Sequence, residues 1–423
     1  DACHLVIGMG ILHEDTKSER AALRQVDQLL AEAELSKSAR VRVLFRRANY
    51  LRRLGRLDVA GTLALDVIDK AREIRSSFLF NQAKLTLSGI YRDQGDVATA
   101  LTLAQSTLHI ALQHDKDTLE VRARNHIALC YDKLGNTEQA IGEYEQGLSR
   151  AIEIGDSFHQ AMFEGNLALS YGRAGRIDEA RQFFQAAIGR ENALNPQAGG
   201  VAIVLTNLGH FEISMGDYDA AWVALKKSHD LHLASGRVGR LCQDLMGLGL
   251  ICMNTGRLDE AAEYPDLGCT LARQRRSFVD LAICSIFAGQ RCLFAGQLQS
   301  ATDRIADALR QSQGLGWLQG EAVCWSILGG IAIESRDYER SEECLEKAST
   351  MLDARYFDDH AQIQVYKGRL ALYRGDSESA RRHLTTGRDF KNQLNMGAKS
   401  PVGLELERLA NEIAEHSIDP RAV

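Results

Sequence analysis

Arg42, Arg46, Asn49 and Arg53 recur at intervals of four, three and four residues, which puts three guanidiniums and one amide on a single face of a predicted helix. A guanidinium presents a fixed fork of N–H donors that matches a carboxylate or a phosphate, and an amide offers both a donor and an acceptor. The chemistry of this stripe is recognition of an anionic group.

Other chemistries find little support in the residues. No glycine directly precedes a lysine, so a phosphate loop ending GK[ST] is missing; so are GxGxxG, HExxH and GxSxG. The nine cysteines (Cys3, Cys130, Cys242, Cys252, Cys269, Cys284, Cys292, Cys324 and Cys344) are scattered and never spaced CxxC, which reads as reduced core thiols. Cys3, His4 and His13, or His229 and His232, bring too few ligands at metal spacing. The expectation is a chain that is not an enzyme and carries no cofactor or metal.

A net charge of -6 gives no general attraction to nucleic acid or anionic lipid. No stretch approaches the ~20 apolar residues that span a bilayer, and the start, DACHLVIGMG, lacks a signal peptide's basic end and long apolar run. A cytoplasmic protein with no membrane partner is expected. The chain begins without methionine and in mid-repeat, which reads as a piece of a longer protein.

The elements that must carry the stripe are repeats. Turns such as LGRLDVA, QGDVATA, LGNTEQA and TGRLDEA align Gly55, Gly95, Gly135, Gly175, Gly216, Gly256, Gly296, Arg336 and Gly375, about 40 residues apart. A period in this range marks stacked supersecondary units that bury their apolar faces only against neighbours. Seven residues before each turn stands a small residue (Ala48, Ser88, Ala128, Ala168, Gly209, Gly249, Gly289, Gly329, Gly368), and five after it another (Ala60 to Ala380, with Ser341). Paired small residues suit the closest approach of an antiparallel helix pair. The turn glycine reads as a left-handed cap, and Asp96, Asn136 and Asp217 as starts of the second helix. Only four prolines interrupt the helical composition.

The stretches HIALCYDKLGNTEQAIGEYEQGL (126–148) and NLALSYGRAGRIDEARQFFQAAI (166–188) carry small residues at both crossings, a tyrosine three residues after the first, and the turn glycine. In this the chain resembles the tetratricopeptide repeat. Its long period is similar to that of bacterial signal-transduction ATPases, MalT-like activators, and kinesin light chain and LGN-type scaffolds. The resemblance implies an all-α superhelical solenoid: a clipped N-terminal pair over 1–40, nine repeats over 41–395, and a capping helix and tail over 396–423. It also implies that the first helix of each pair lines a concave, partner-binding face. That face would carry Arg42, Phe45, Asn49, Arg52, Arg53, Arg92, Arg122 and Asn125, then Asn166, Asn207 and His210. Later it turns apolar through Met162, Leu169, Ile213, Met246, Leu250, Met253, Ile283, Ile286, Leu293 and Phe294.

Three departures stand out: the breaker-rich NALNPQAGG (192–200), a candidate hinge; Pro265, expected to kink its helix; and Arg336, expected to alter a helix end. The functional expectation is a sensor or scaffold arm that binds a protein or peptide with an acidic segment, and that is linked to an effector domain outside this chain. The alternative is the small-molecule (metabolite) receptor region of a MalT-like regulator or of a signal-transduction (STAND) ATPase or kinase.

Overall fold

The computed structural model describes residues 16–32, 34–53, 55–194, 200–234, 241–275, 277–352 and 357–418. Every regular element among them is helical, and the chain is an all-α solenoid of helix-turn-helix units. It divides into two compact units, 1–204 and 205–423.

The first unit contains α1 (Thr16–Glu32), α2 (Lys37–Arg53), α3 (Leu57–Glu73), α4 (Ser77–Gln94), α5 (Val97–Gln113), α6 (Asp117–Leu134), α7 (Thr137–Glu153), α8 (Ser157–Arg173) and α9 (Ile177–Leu194). The unit boundary falls inside α10 (Gly200–Met215). The second unit continues with α11 (Tyr218–Ala234), α12 (Leu241–Asn254), α13 (Leu258–Arg275), α14 (Phe278–Phe294), α15 (Leu298–Leu315), α16 (Leu318–Glu334), α17 (Tyr338–Met351), α18 (Phe357–Tyr373), α19 (Ser377–Gln393) and α20 (Pro401–Ile418).

All eight turn glycines have φ between +69° and +95°, where a side chain would be strained. The turn closes by two hydrogen bonds, as in Gly55 N–H to Arg52 O and Arg56 N–H to Leu51 O, both 2.9 Å. Arg336 does not alter its helix end. It takes the same conformation, with φ +61°, and the same two bonds form to Ile333 O and Ala332 O. The contacts around the turn outweigh the local cost of a left-handed arginine, about 1–2 kcal/mol. Asp96 and Asp217 accept from the N–H groups of Thr99 and Ala220 at 3.1 Å, capping the following helix, whereas Asn136 makes no side-chain cap. Helix α13 is assigned as one helix through Pro265. The candidate hinge falls largely on residues 195–199, outside the described residues.

The small residues sit where helices cross. Ala60, Ala100, Ala140 and Ala180 in the first unit, and Ala221, Ala261, Ala301, Ser341 and Ala380 in the second, are wholly buried. In the second unit four of the five crossing glycines have no room for a methyl group: a Cβ on Gly209 would lie 2.4 Å from Leu225, and one on Gly289 2.5 Å from Ile305, whereas at Gly249 the nearest atom, on Tyr264, is an ordinary 3.4 Å away. The opposed leucine or isoleucine fills the space the glycine leaves.

The second unit also closes on itself through contacts distant in sequence. Gly397 N–H donates to Ser214 O at 3.0 Å and the Tyr218 hydroxyl donates to Lys399 O at 2.7 Å. A Cβ on Gly397 would lie 2.0 Å from Met215 O. Helix α20 buries Val402, Leu406, Leu409 and Ile413 against Ala361, Val365, Leu372, Ala380 and Leu384 of the last pair. Among the described residues, no helix is long and apolar enough to cross a membrane.

Candidate functional site

Helices α2, α4, α6 and α8 are the first members of successive pairs in the first unit, and their equivalent positions meet side by side. The Asn49 amide donates to Phe45 O at 2.9 Å and accepts from the Thr86 hydroxyl at 3.2 Å. Asn166 donates to Asn125 Oδ1 at 3.3 Å. Asp132 binds Arg173 at 2.7 Å, the Tyr144 hydroxyl at 2.9 Å and the Ser170 hydroxyl at 3.2 Å. Arg52 and Arg92 share the Asp93 carboxylate, at 2.9 and 3.0 Å. Much of the polar face is thus engaged in joining one repeat to the next, and Arg53 is also partnered.

Three cations stand apart from this ladder. Arg42, Arg46 and Arg122 form no ion pair with any described residue; Arg42 alone is engaged, at 3.5 Å from the Ser38 hydroxyl. All three line one cavity of 460 Å³ with Phe45, Asn49, Ser76, Phe78, Leu79 and Gln82. Burial, and then the neighbouring Arg46 charge, lowers the pKa of Arg122 from its ordinary value. Two like charges brought together in a partly desolvated hollow make a site that favours an anion.

Beside it His126 is held well below the usual histidine range, first by burial and then by Arg92, Arg52 and Arg122. Its Nδ1 is buried without a hydrogen-bond partner. In the folded chain it stays neutral below pH 6.5, whereas the unfolded chain takes up its proton near that pH. The unfolded state then binds more protons, so stability falls as pH drops through about 6.5, by at most about 1.4 kcal/mol per pH unit from this group. Thermal melts at pH 7.5, 6.5 and 5.5 should show a shallower decline for His126→Gln than for the parent. Parallel declines would remove His126 from this role.

Of the residues expected on the face in the second unit, His210 keeps solvent-accessible surface yet is enclosed closely enough that burial lowers its pKa. It lies toward Gly247, where a Cβ would come within 3.3 Å of its ring. Asn207 is half-buried. The methionines require correction. Met246 packs with Cys242, Cys269, Ala272 and Cys284, and Met253 with Cys252 and Ala261, so both belong to the core rather than to an open surface. Ile213 and Ile286 are buried too, while Phe294 remains exposed with the Arg408 guanidinium 5.5 Å from its ring centre. Wide apolar side chains on neighbouring first helices bury one another when the helices pack closely.

Sequence reasoning passed over Gln82, Phe78 and Ser76. For Gln82 a signal existed, because it stands thirteen residues before its turn glycine, as Arg42 and Arg122 do before theirs. Phe78 and Ser76 had none, since their place on the cavity wall follows from how α4 enters the stack. The eight described cysteines are all free and buried. Among the described residues no group of three or more His, Cys, Asp or Glu is arranged to hold a metal.

The geometry defines a tetratricopeptide-type helical solenoid with a cationic hollow among the first helices of its first unit. The family described as Tetratricopeptide repeat matches residues 121–151 and 165–193, and again 243–274. No curated protein matches the sequence. Among solved structures the chain is similar to the apo form of the quorum sensor NprR from B. thuringiensis, with TM-score 0.59 and 16% identity, covering 83% of this chain and 98% of that one. It is similar to a Rap protein complexed with competence and sporulation factor, with TM-score 0.53 and 14% identity over 89% and 99% of the two chains. It is also similar to aspartyl phosphate phosphatase F from Bacillus subtilis, with TM-score 0.59 and 12% identity over 86% and 97%.

At these identities the likeness is one of fold. It nevertheless corrects the expectation that the chain is not an enzyme. That expectation rested on missing nucleotide, metal and nucleophile motifs, and a phosphatase shares this fold, so their absence does not exclude catalysis.

Proposed function

We propose that this chain is a protein- or peptide-binding solenoid, the sensor or scaffold arm of a signalling protein, and that the inner face of its first unit takes an acidic segment of the partner. The observation that carries the reading is the convergence of Arg42, Arg46 and Arg122 on one cavity without a carboxylate among them. Unpaired guanidiniums gathered in a hollow are electrostatically unfavourable until an anion neutralises them. The fold supports it, since a quorum sensor and a Rap protein complexed with a factor have the same architecture. Kinship with MalT-like regulators rests on the 40-residue period alone, and the linked effector domain belongs to the same proposal.

The test is calorimetric titration of the full chain with a glutamate-rich peptide at low and moderate salt. Binding should weaken as salt rises, and the triple variant Arg42→Ser, Arg46→Ser, Arg122→Ser should lose at least about tenfold, or about 1.4 kcal/mol. If the peptide does not bind, or the triple variant binds equally well, the reading fails.

A further inference from the structure

The cationic hollow holds more positive charge than one carboxylate can neutralise, and Gln82 in its lining buries a carbonyl oxygen that a bare anion cannot satisfy. Arg42, Arg46 and Arg122 contribute three guanidiniums with no counter-charge in the cavity lining. The ladder carboxylate Asp93 already answers both Arg52 and Arg92. A carboxylate brings one negative charge, whereas a phosphate monoester near pH 7 brings about 1.5 to 2 and three strong acceptor oxygens.

The second observation concerns acceptors. Gln82 is only 2% exposed, makes no hydrogen bond within the described residues, and buries its Oε1. Its neighbour Asn81 donates through Nδ2 to Ser77 O, which fixes the amide's orientation, and its Oδ1 is likewise buried and unpartnered. Asn81 and Gln82 both line a second cavity of 460 Å³, which shares Phe78 and Gln82 with the first and is bounded on its far side by Asp115, Lys116 and Asp117. Two buried acceptors without donors carry an unmet desolvation cost until a donor arrives. A phosphate dianion has no N–H to offer. The backbone of a peptide does.

Phe78 lies between the two cavities with 67% of its surface exposed, and it can carry the apolar part of a side chain. We infer that the paired cavities form a phosphopeptide site, in which Arg42, Arg46 and Arg122 hold the phosphate monoester while Asn81 and Gln82 accept backbone N–H groups of the adjoining residues across Phe78. This rests on the proposal that the inner face binds a peptide and adds the chemical class of its key group.

The test uses the full chain and four probes at one ionic strength: phenyl phosphate, benzoate, a glutamate-flanked phosphoserine peptide, and the same peptide with glutamate in place of phosphoserine. Phenyl phosphate should bind at least about tenfold more tightly than benzoate, and Arg46→Gln and Arg122→Gln should each weaken it about tenfold. The phosphopeptide should exceed both its glutamate counterpart and phenyl phosphate by about tenfold. Asn81→Leu, which removes the orphan acceptor that lines the second cavity and not the arginine cavity, should cancel the advantage over phenyl phosphate while leaving phenyl phosphate binding unchanged.

Equal affinity for the phosphoserine and glutamate peptides would overturn the inference and leave the acidic-segment reading standing. Binding of phenyl phosphate without any gain from the peptide would overturn it in favour of a site for free phosphate esters. If neither phosphate probe binds, or the arginine variants bind equally well, the site itself is refuted.

Discussion

Replacing Asp244 by alanine is expected to destabilise the second unit by about 3–5 kcal/mol, because it strips the counter-group from a polar cluster sealed inside the apolar stack. The carboxylate accepts from the Thr206 hydroxyl at 2.7 Å, the Ser228 hydroxyl at 3.2 Å and His232 Nδ1 at 2.8 Å, joining α10, α11 and α12. All four residues are at most 1% exposed. Water cannot replace the lost acceptor without opening the helix crossing, so Thr206, Ser228 and His232 would keep their contacts with one another, at 2.8 and 3.4 Å, but lose the charged acceptor common to all three. Urea unfolding should show a lower midpoint at unchanged slope, with Asp244→Asn losing less because it keeps one acceptor oxygen. If Asp244→Ala unfolds with the same midpoint as the surface control Asp303→Ala, the cluster contributes nothing to stability. Serine, histidine and aspartate lie together here, but this does not suggest nucleophilic catalysis: His232 Nδ1 contacts both the aspartate and the serine, so the ring does not stand between them.

A loss of about 3–5 kcal/mol is likewise expected for Phe163→Ala in the first unit. Phe163 is fully buried, meets Tyr144 edge-on with ring centres 6.2 Å apart, and fills the space over Gly147, where a Cβ would lie 2.3 Å from its ring. Truncation leaves a cavity that α7 and α8 cannot collapse around, because Tyr144 is tethered to Asp132. The same contact predicts that Gly147→Ala alone costs about 1–3 kcal/mol by overpacking. Combining Gly147→Ala with Phe163→Leu should then cost less than the sum of the two single changes. Additive losses in the urea midpoints of this cycle would show that ring and glycine do not share the space.

The repeat was legible because its physical requirements are local. A left-handed turn calls for glycine, a close helix crossing calls for a small residue on each side, and both needs recur every 40 residues. The stripe Arg42, Arg46, Asn49 and Arg53 was legible for the same reason, since one helix sets its own spacing. The partnerships of those side chains were not. Whether an arginine is free or paired depends on which residue of the next repeat lies opposite, as Asp93 does for Arg52 and Arg92, and that register emerges only when helices stack. Arg336 shows the converse, for its residue type argued for a different helix end, and the surrounding contacts imposed the usual one.

By itself, then, the sequence determined an all-helical repeat array, the location of its turns and crossings, and a basic start to one face. Tertiary structure alone decided three further matters. It buried Met246 and Met253, brought Arg122 across to Arg42 and Arg46 from two repeats away, and left Asn81 and Gln82 with buried acceptors beside that charge. The reason is one of range: periodicity encodes contacts within a turn or between adjacent helices, whereas burial, charge pairing and a cavity's walls depend on residues about 40 or 80 positions apart meeting in space.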